Sequence, residues 1–314
     1  MQQFVVALGG KPPMTRKVVA LGMFDGVHLG HAALIAAARE IAGPEGCAAY
    51  TFDTHPANVV SPGSAPVALT SLEDRIALLG QAGADVVVVQ RFDLEFAALS
   101  PREFVSRVMV ETLEVGHIVV GYNYTFGRGA SGVLKELASE QGVDVTVVAP
   151  VKAGRDIVAS TTIRRFLAEG EVSRAARLLG REHFVRGTVV AGRGVGRSLD
   201  VPTANLDVPS DVALPARGVY AVRVRWGSPR GNPPHVSRGV CNIGVRPTFS
   251  DESRGTTVEV HLIDEEVDLY GQCLTVSFAT RLRGEKRFAD PGVLRTQIRR
   301  DIHLALQARP APAG

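Results

Sequence analysis

Hydrophobic and polar positions follow two different rhythms in the two halves of the chain. In the first half, short Val-rich runs alternate with stretches of helical period. Lys17–Gly22, Ala48–Phe52, Asp85–Gln90, Ile118–Gly121 and Val143–Ala149 predict strands. Gly30–Ala42, Leu72–Ala82, Pro101–Leu113 and Gly132–Glu140 predict helices. Apolar strands with helices between them predict a parallel sheet covered on both faces, an α/β, Rossmann-like architecture. The rhythm changes near Gly180–His183. Beyond it, Phe184–Val190, Gly218–Trp226, Ser237–Ile243, Thr256–Ile263 and Cys273–Leu282 predict strands separated by Gly- and Pro-rich loops, and a small closed β-barrel protects such edges. A last helix, Pro291–Ala308, carries apolar positions at Val293, Ile298, Ile302 and Leu306.

The 314 residues accommodate two domains, expected at 1–182 and 183–309, with 310–314 a disordered tail. A net charge of +3 without a run of Lys and Arg argues against a nucleic-acid surface. The three cysteines Cys47, Cys241 and Cys273 form no CxxC pair, and their odd number argues against a disulfide framework and for a reducing cytoplasm. Met1–Lys17 lacks the apolar core of a signal peptide, and no apolar run approaches the length of a membrane span.

The stretch from Gly22 to His31, GMFDGVHLGH, follows a predicted strand and opens a helix, which is where α/β proteins bind ligands. Its glycines let the backbone approach a phosphate, and the helix start favours negative charge. His28 and His31 can donate hydrogen bonds to charge that builds on a phosphoryl group. The same spacing also suits two surface histidines on a turn, or a metal pair completed by Asp25, Asp53 or His55. Ala159-Ser160-Thr161-Thr162-Ile163-Arg164 precedes a short predicted helix, Ile163–Ala168, and supplies hydroxyls, amides and an Arg one turn on. Gly127–Gly132 fits GxGxxG, but it follows several strands and Lys152 stands where a dinucleotide site wants an acid. Gly9-Gly10-Lys11 lacks the spacing of a P-loop.

In the second half, Gly192-Arg193-Gly194-Val195-Gly196-Arg197 is a cationic loop whose amides can wrap phosphates. It leads into Pro202-Thr203-Ala204-Asn205. There a hydroxyl and an amide oxygen two residues apart in an extended segment point to one side and suit Mg²⁺. A Gly-rich barrel loop and a surface carboxylate at Glu259 are the plainer alternatives.

The H-x-G-H and S-T-x-x-R segments resemble the nucleotidyltransferase superfamily. With Thr51–Pro56 and Gly121–Gly127, residues 17–180 resemble the adenylyltransferase module of bacterial bifunctional riboflavin kinase/FAD synthetases. Leu214–Tyr220, Cys241–Phe249, Val258–Leu262, Asp268–Gly271 and Arg283–Phe288 resemble the riboflavin kinase module over residues 183–307. The resemblance implies phosphorylation of riboflavin to FMN and adenylylation of FMN to FAD, with ATP as substrate and Mg²⁺ as cofactor. It implies that His28 and His31 stabilise the adenylyl-transfer transition state and that Gly22, Phe24, Asp25 and Gly30 line the nucleotide. It further implies that Ser160, Thr161 and Arg164 hold the leaving phosphates. In the barrel it makes Glu259 the base, Thr203 and Asn205 the metal ligands, and Gly192, Gly194, Gly196 and Arg197 the phosphate cover. Asn123, Glu285 and Phe288 fall on the flavin side. Partners are then riboflavin, FMN and ATP, with transient self-association left open and neither nucleic acid nor membrane expected.

Four positions depart from the family pattern: Thr54 replaces proline, Tyr122 an acid, Ala159 a serine and Asp200 a glycine. An added carboxylate beside a polyphosphate is unfavourable unless a cation neutralises it. Rival readings are an FAD synthetase with a weakened kinase barrel, a different nucleotidyl acceptor, and a non-catalytic flavin-binding regulator.

Overall fold

The computed structural model describes residues 1–13, 16–124, 133–192, 201–227, 234–245, 256–265, 267–286, 288 and 290–308. It divides into two compact units, Met1–Ser160 and Thr161–Gly314.

The first unit is built on six parallel strands, β1 (Gln2–Val6), β2 (Val18–Leu21), β3 (Ala48–Phe52), β4 (Val86–Gln90), β5 (His117–Gly121) and β6 (Asp144–Val148), in the order β1-β4-β3-β2-β5-β6. Every residue of β2, β3 and β4 is buried, the signature of strands covered on both faces. The helices are α1 (Leu29–Ala42), α2 (Pro56–Val60), α3 (Leu72–Gln81), α4 (Leu94–Ala97), α5 (Pro101–Glu103) and α6 (Val133–Glu140). α5 opens on a Ser100/Glu103 capping box and runs on as a wider π-type helix over Phe104–Thr112. One sheet face packs on Tyr50, Phe52, Phe96, Phe104 and Met109. A short antiparallel pair, β7 (Lys152–Ala153) with β8 (Asp156–Ile157), follows.

The strand β1 was not foreseen. It is an edge strand beside β4, and Val5 is 68% exposed, so it lacks the doubly apolar pattern of its neighbours.

The second unit begins with α7 (Ser160–Glu169, its first residue closing the first unit) and α8 (Val172–Leu179). A left-handed Gly180 (φ 72°) ends α8. Six antiparallel strands then close a barrel: β9 (His183–Val190), β10 (Ala204–Asp207), β11 (Gly218–Trp226), β12 (His235–Val245), β13 (Thr256–Leu262) and β14 (Cys273–Arg283), in the order β10-β13-β12-β11-β14-β9. Closure comes from β9 pairing with β10, a four-residue strand expected only as an extended segment. Alternation along the strands turns Tyr220, Leu274, Val276 and Phe278 fully inward. Ser173 of α8 donates to the Ala279 carbonyl at 3.1 Å, and Arg281 reaches the Glu169 and Arg217 carbonyls at 3.3 and 2.7 Å, so α7 and α8 are fastened to the barrel.

The last helix, α9 (Pro291–Gln307), is capped by Asp290, which accepts from the Gly292 and Val293 amides. Of the apolar positions expected, Ile302 packs inward, beside Ala305, on Val219, Ala221, Val240 and Ile263, whereas Val293 and Leu306 are exposed. The helix is turned so that Asp301, 2% exposed, meets Arg283 in a fork of hydrogen bonds at 2.9 to 3.1 Å.

Candidate functional sites

In the first unit, β2, β3 and β4 are laid down in one direction, and β5 and β6 on the other side of β2. The strand order therefore reverses between β2 and β5, and ligands of open parallel sheets bind at the carboxyl ends of such a pair. The loop that leaves β2 there carries the histidine pair, and the turn that leaves β5 carries Tyr122 and Asn123, both exposed.

The loop is held in an unusual backbone shape. Phe24 and Val27 have positive φ (51° and 37°), a cost that surrounding contacts must offset, while Gly26 between them takes φ 82° freely. Asp25 Oδ1 accepts from the Leu69 amide at 2.8 Å, the Gly26 amide donates to Thr70 Oγ1 at 3.3 Å, and Ser160 Oγ donates to the Asp25 carbonyl at 2.9 Å. Phe24 has no exposed surface, and its ring stands edge-on to His31 at 5.2 Å. A Cβ on Gly22 would meet that Phe24 ring at 3.2 Å, and one on Gly30 would meet the His28 ring at 3.1 Å. Each glycine thus makes room for a neighbouring ring.

His28 caps α1, and the two histidines lock one another. His28 Nδ1 accepts from the His31 amide at 3.2 Å, His31 Nδ1 accepts from the His28 amide at 3.4 Å, and the rings stack at 3.6 Å. A nitrogen that accepts a backbone N–H carries no proton, so each neutral ring carries its proton on Nε2. The two ring planes lie 13° apart. Among the described residues, no group of three His, Cys, Asp or Glu side chains is arranged to hold a metal. His55 is used similarly, as cap of α2 with Nδ1 accepting from the Ala57 amide at 3.1 Å. Thr54 Oγ1 accepts from Asn58 at 2.9 Å. Ser160 and Thr161 open α7, and Arg164 lies one turn on along the same face.

In the barrel, cross-strand register assembles the site. Asn205 on β10 and Asn242 on β12 stand directly opposite Glu259 on β13, one on each side. Their neighbours Leu206, Cys241, Val258 and Val260 point into the barrel, so the three polar side chains share its outer face. Burial and the Glu259 carboxylate together push the Cys241 thiol well up. A Cβ on Gly192 would fall 1.9 Å from Asn205 Nδ2, so this glycine leaves the place that the Asn205 amide fills. Thr203 precedes β10 by one residue, and His261 Nδ1 donates to the Pro202 carbonyl at 2.8 Å, pinning that segment to β13. A Cβ on Gly244 would lie 2.8 Å from Glu285 Oε1 and 3.3 Å from Asn242 Nδ2. Phe288 lies under the Arg283 guanidinium at 5.5 Å. Gly194, Gly196, Arg197 and Asp200 lie outside the described residues, as do the GxGxxG segment after Tyr124 and the tail 310–314.

The oxygen-rich set of Thr203, Asn205 and Glu259 fits a hard divalent ion such as Mg²⁺, with Gly192 leaving the Asn205 amide its place. Asn242 and His261 had not been singled out. The signal for Asn242 was its pairing with Glu259, which only strand register reveals.

A parallel-sheet nucleotide site and a flavokinase-type barrel on one chain define a two-activity flavin enzyme, and family models agree. The FAD synthetase model matches residues 11–162 and the riboflavin kinase model residues 179–308. The chain is 38% identical to the bifunctional riboflavin kinase/FMN adenylyltransferase of Listeria monocytogenes, over 91% of this chain and 90% of that one. It is 37% identical to the Pseudomonas fluorescens protein of the same description, over 99% of each. The chain belongs to the family of bifunctional riboflavin kinase/FMN adenylyltransferases. A crystal structure titled a macrolide-efflux protein, from Streptococcus pneumoniae, superposes with TM-score 0.87 at 27% identity, over 98% of this chain and 99% of that one. Among the described residues of the present chain, no helix is long and apolar enough to cross a membrane.

Proposed function

We propose that this chain converts riboflavin to FMN in the barrel and FMN to FAD in the α/β unit, each with ATP. The observation that carries the reading is the mutual Nδ1 lock of His28 and His31, which puts the proton of each neutral ring on Nε2 in a strained loop that leaves β2 beside the sheet's switch point.

In adenylylation, an FMN phosphate oxygen forms a bond to the α-phosphorus of ATP, and the bond to pyrophosphate breaks. His28 and His31 stabilise charge on the α-phosphoryl oxygens. Gly22, Phe24, Asp25 and Gly30 shape the nucleotide side of the loop, Ser160, Thr161 and Arg164 hold the departing phosphates, and Asn123 faces the flavin phosphate. In the kinase step, Glu259 takes the proton of the ribityl 5′-hydroxyl, whose oxygen attacks the γ-phosphorus as ADP leaves. Thr203 and Asn205 would hold Mg²⁺, which when bound neutralises charge on the phosphates. Gly192, Gly194, Gly196 and Arg197 cover the ATP phosphates, while Glu285 and Phe288 border the flavin. The functional division is 1–182 and 183–309. Three unpaired thiols, two of them buried, fit a cytoplasmic location.

The test is His28→Ala with riboflavin, ATP and Mg²⁺, separating FMN from FAD by chromatography. FAD formation should fall about 10²–10³-fold, the usual loss on removing one preorganised donor, with FMN formation intact. Equal loss of both in a folded variant overturns the two-site reading.

A further inference from the structure

Behind the histidine loop lies a cation that none of the roles above uses. Arg75, in the first turn of α3, is 6% exposed. Its Nη1 donates to the Met23 carbonyl at 3.0 Å and its Nη2 to the Phe52 carbonyl at 2.6 Å. The Met23 carbonyl lies in the histidine loop two residues past β2, and the Phe52 carbonyl ends β3, where the Asp53–His55 segment begins. The Thr51 hydroxyl also donates to the Met23 carbonyl, at 3.1 Å. Both segments carry an acid near Arg75. Asp25 is tied to the Leu69 amide, and Asp53 Oδ1 accepts from the Thr54 and Phe92 amides at 2.8 and 2.9 Å. Burial lowers the Arg75 pKa, and Asp25 and then Asp53 oppose that shift, so the two carboxylates lie within its field. The segment 69–75 therefore holds the loop at Asp25, Gly26 and Met23 in turn.

We infer that Arg75 is a positioning residue for adenylyl transfer. Its guanidinium fork sets the separation of the two loops, and its charge offsets Asp25 and Asp53 so that the site admits polyanionic ATP and FMN. A carbonyl in the histidine loop and one at the end of β3 need donors in a fixed plane, which a guanidinium has and an ammonium lacks. Two carboxylates beside a phosphate site, Asp25 buried and Asp53 half-buried, would repel the substrates without a counter-charge. The inference rests on the assignment of the histidine loop to adenylyl transfer.

The two contributions separate in two variants. Arg75→Lys keeps the charge and loses the fork; Arg75→Met keeps the length and loses both. Adenylylation kcat and KM for ATP are measured on full-length protein, with near-ultraviolet dichroism for folding and riboflavin phosphorylation as internal control. Arg75→Lys should lose about tenfold or more in kcat with KM for ATP near wild type, because misplaced loops cost rate. Arg75→Met should in addition raise KM for ATP by about tenfold, since a lost counter-charge weakens anion binding. The inference is overturned if folded Arg75→Met keeps a wild-type KM, or if Arg75→Lys keeps a wild-type kcat. Should Arg75→Met not fold, the Lys variant decides alone. A His28→Ala enzyme that still makes FAD would instead sink the site assignment, whatever Arg75 does.

Discussion

The α/β unit gathers its reactive pair from ten consecutive residues, whereas the barrel gathers its own from three strands. His28 and His31 fix each other through two local hydrogen bonds at the start of one helix. Asn205, Glu259 and Asn242 meet only because β10, β13 and β12 pair in one register. The first arrangement is preorganised by backbone strain and a cap. The second is preorganised by the closed barrel, where a shift of one residue would turn every polar side chain of a strand inward. Damage to the histidine loop should therefore remain local and confined to adenylylation. Damage in the barrel should scale with how far a side chain is moved from its row.

The largest effect should come from the centre of that row. Glu259→Gln keeps the size and much of the hydrogen bonding between Asn205 and Asn242 but cannot take a proton. Loss of a general base typically costs about 10²–10⁴-fold in rate. FMN formation should fall by that order, while FAD formation from supplied FMN persists, as read by initial rates from each substrate. Retained FMN formation would remove Glu259 from the chemistry and leave the row a structural feature.

The two guarding glycines sharpen the comparison. In Gly192→Ala the new methyl carbon would lie 1.9 Å from Asn205 Nδ2, so that side chain must leave its place. In Gly30→Ala it would lie 3.1 Å from the His28 ring, a few tenths of an ångström too close. A misplacement near 1 Å can cost about 10²-fold, so kinase loss in Gly192→Ala should approach that figure. Adenylylation loss in Gly30→Ala should be several times smaller. The measurement is the pair of rates in each variant. A reversed order would mean that the histidine loop tolerates less movement than the barrel row.

How much of this was visible in the chain follows the same contrast. The doubly buried strands β3 and β4 were readable because their side chains are apolar on both faces. The histidine loop was readable because its parts are adjacent. The mutual Nδ1 lock was not, since it depends on a backbone that bends both amides toward the rings. Nor was Arg75, an ordinary helical arginine until the Met23 and Phe52 carbonyls are brought to it. In the barrel, the spacing of Thr203 and Asn205 suggests metal donors and family resemblance adds Glu259, whereas Asn242 is hidden because pairing is invisible before register is known. His183 was read only as the point where the pattern changes. It is buried, its Nε2 donates to the Ala213 carbonyl, and burial pushes its pKa down to about 4, so it is a neutral core imidazole.

The smallest expected effect concerns the way the metal segment is tied to the row. His261 stands two residues beyond Glu259 on β13, and its Nδ1–H holds the Pro202 carbonyl immediately before Thr203. In His261→Leu the imidazole's bulk is largely kept and the donor is lost, so Thr203 is released on one side while Asn205 stays paired in β10. Only one of the two proposed metal ligands is loosened, and a single neutral hydrogen bond contributes about 1 kcal/mol. The Mg²⁺ concentration for half-maximal FMN formation should therefore rise by roughly fivefold, the size such an energy implies, with the rate at saturating Mg²⁺ nearly restored. His261→Asn, whose amide can donate from a similar place, should recover most of the loss. Adenylylation should not respond, because the His28/His31 pair is held by its own local hydrogen bonds. If Leu and Asn behave alike, the bond to Pro202 does not set the Thr203 segment, and β10 alone positions both ligands.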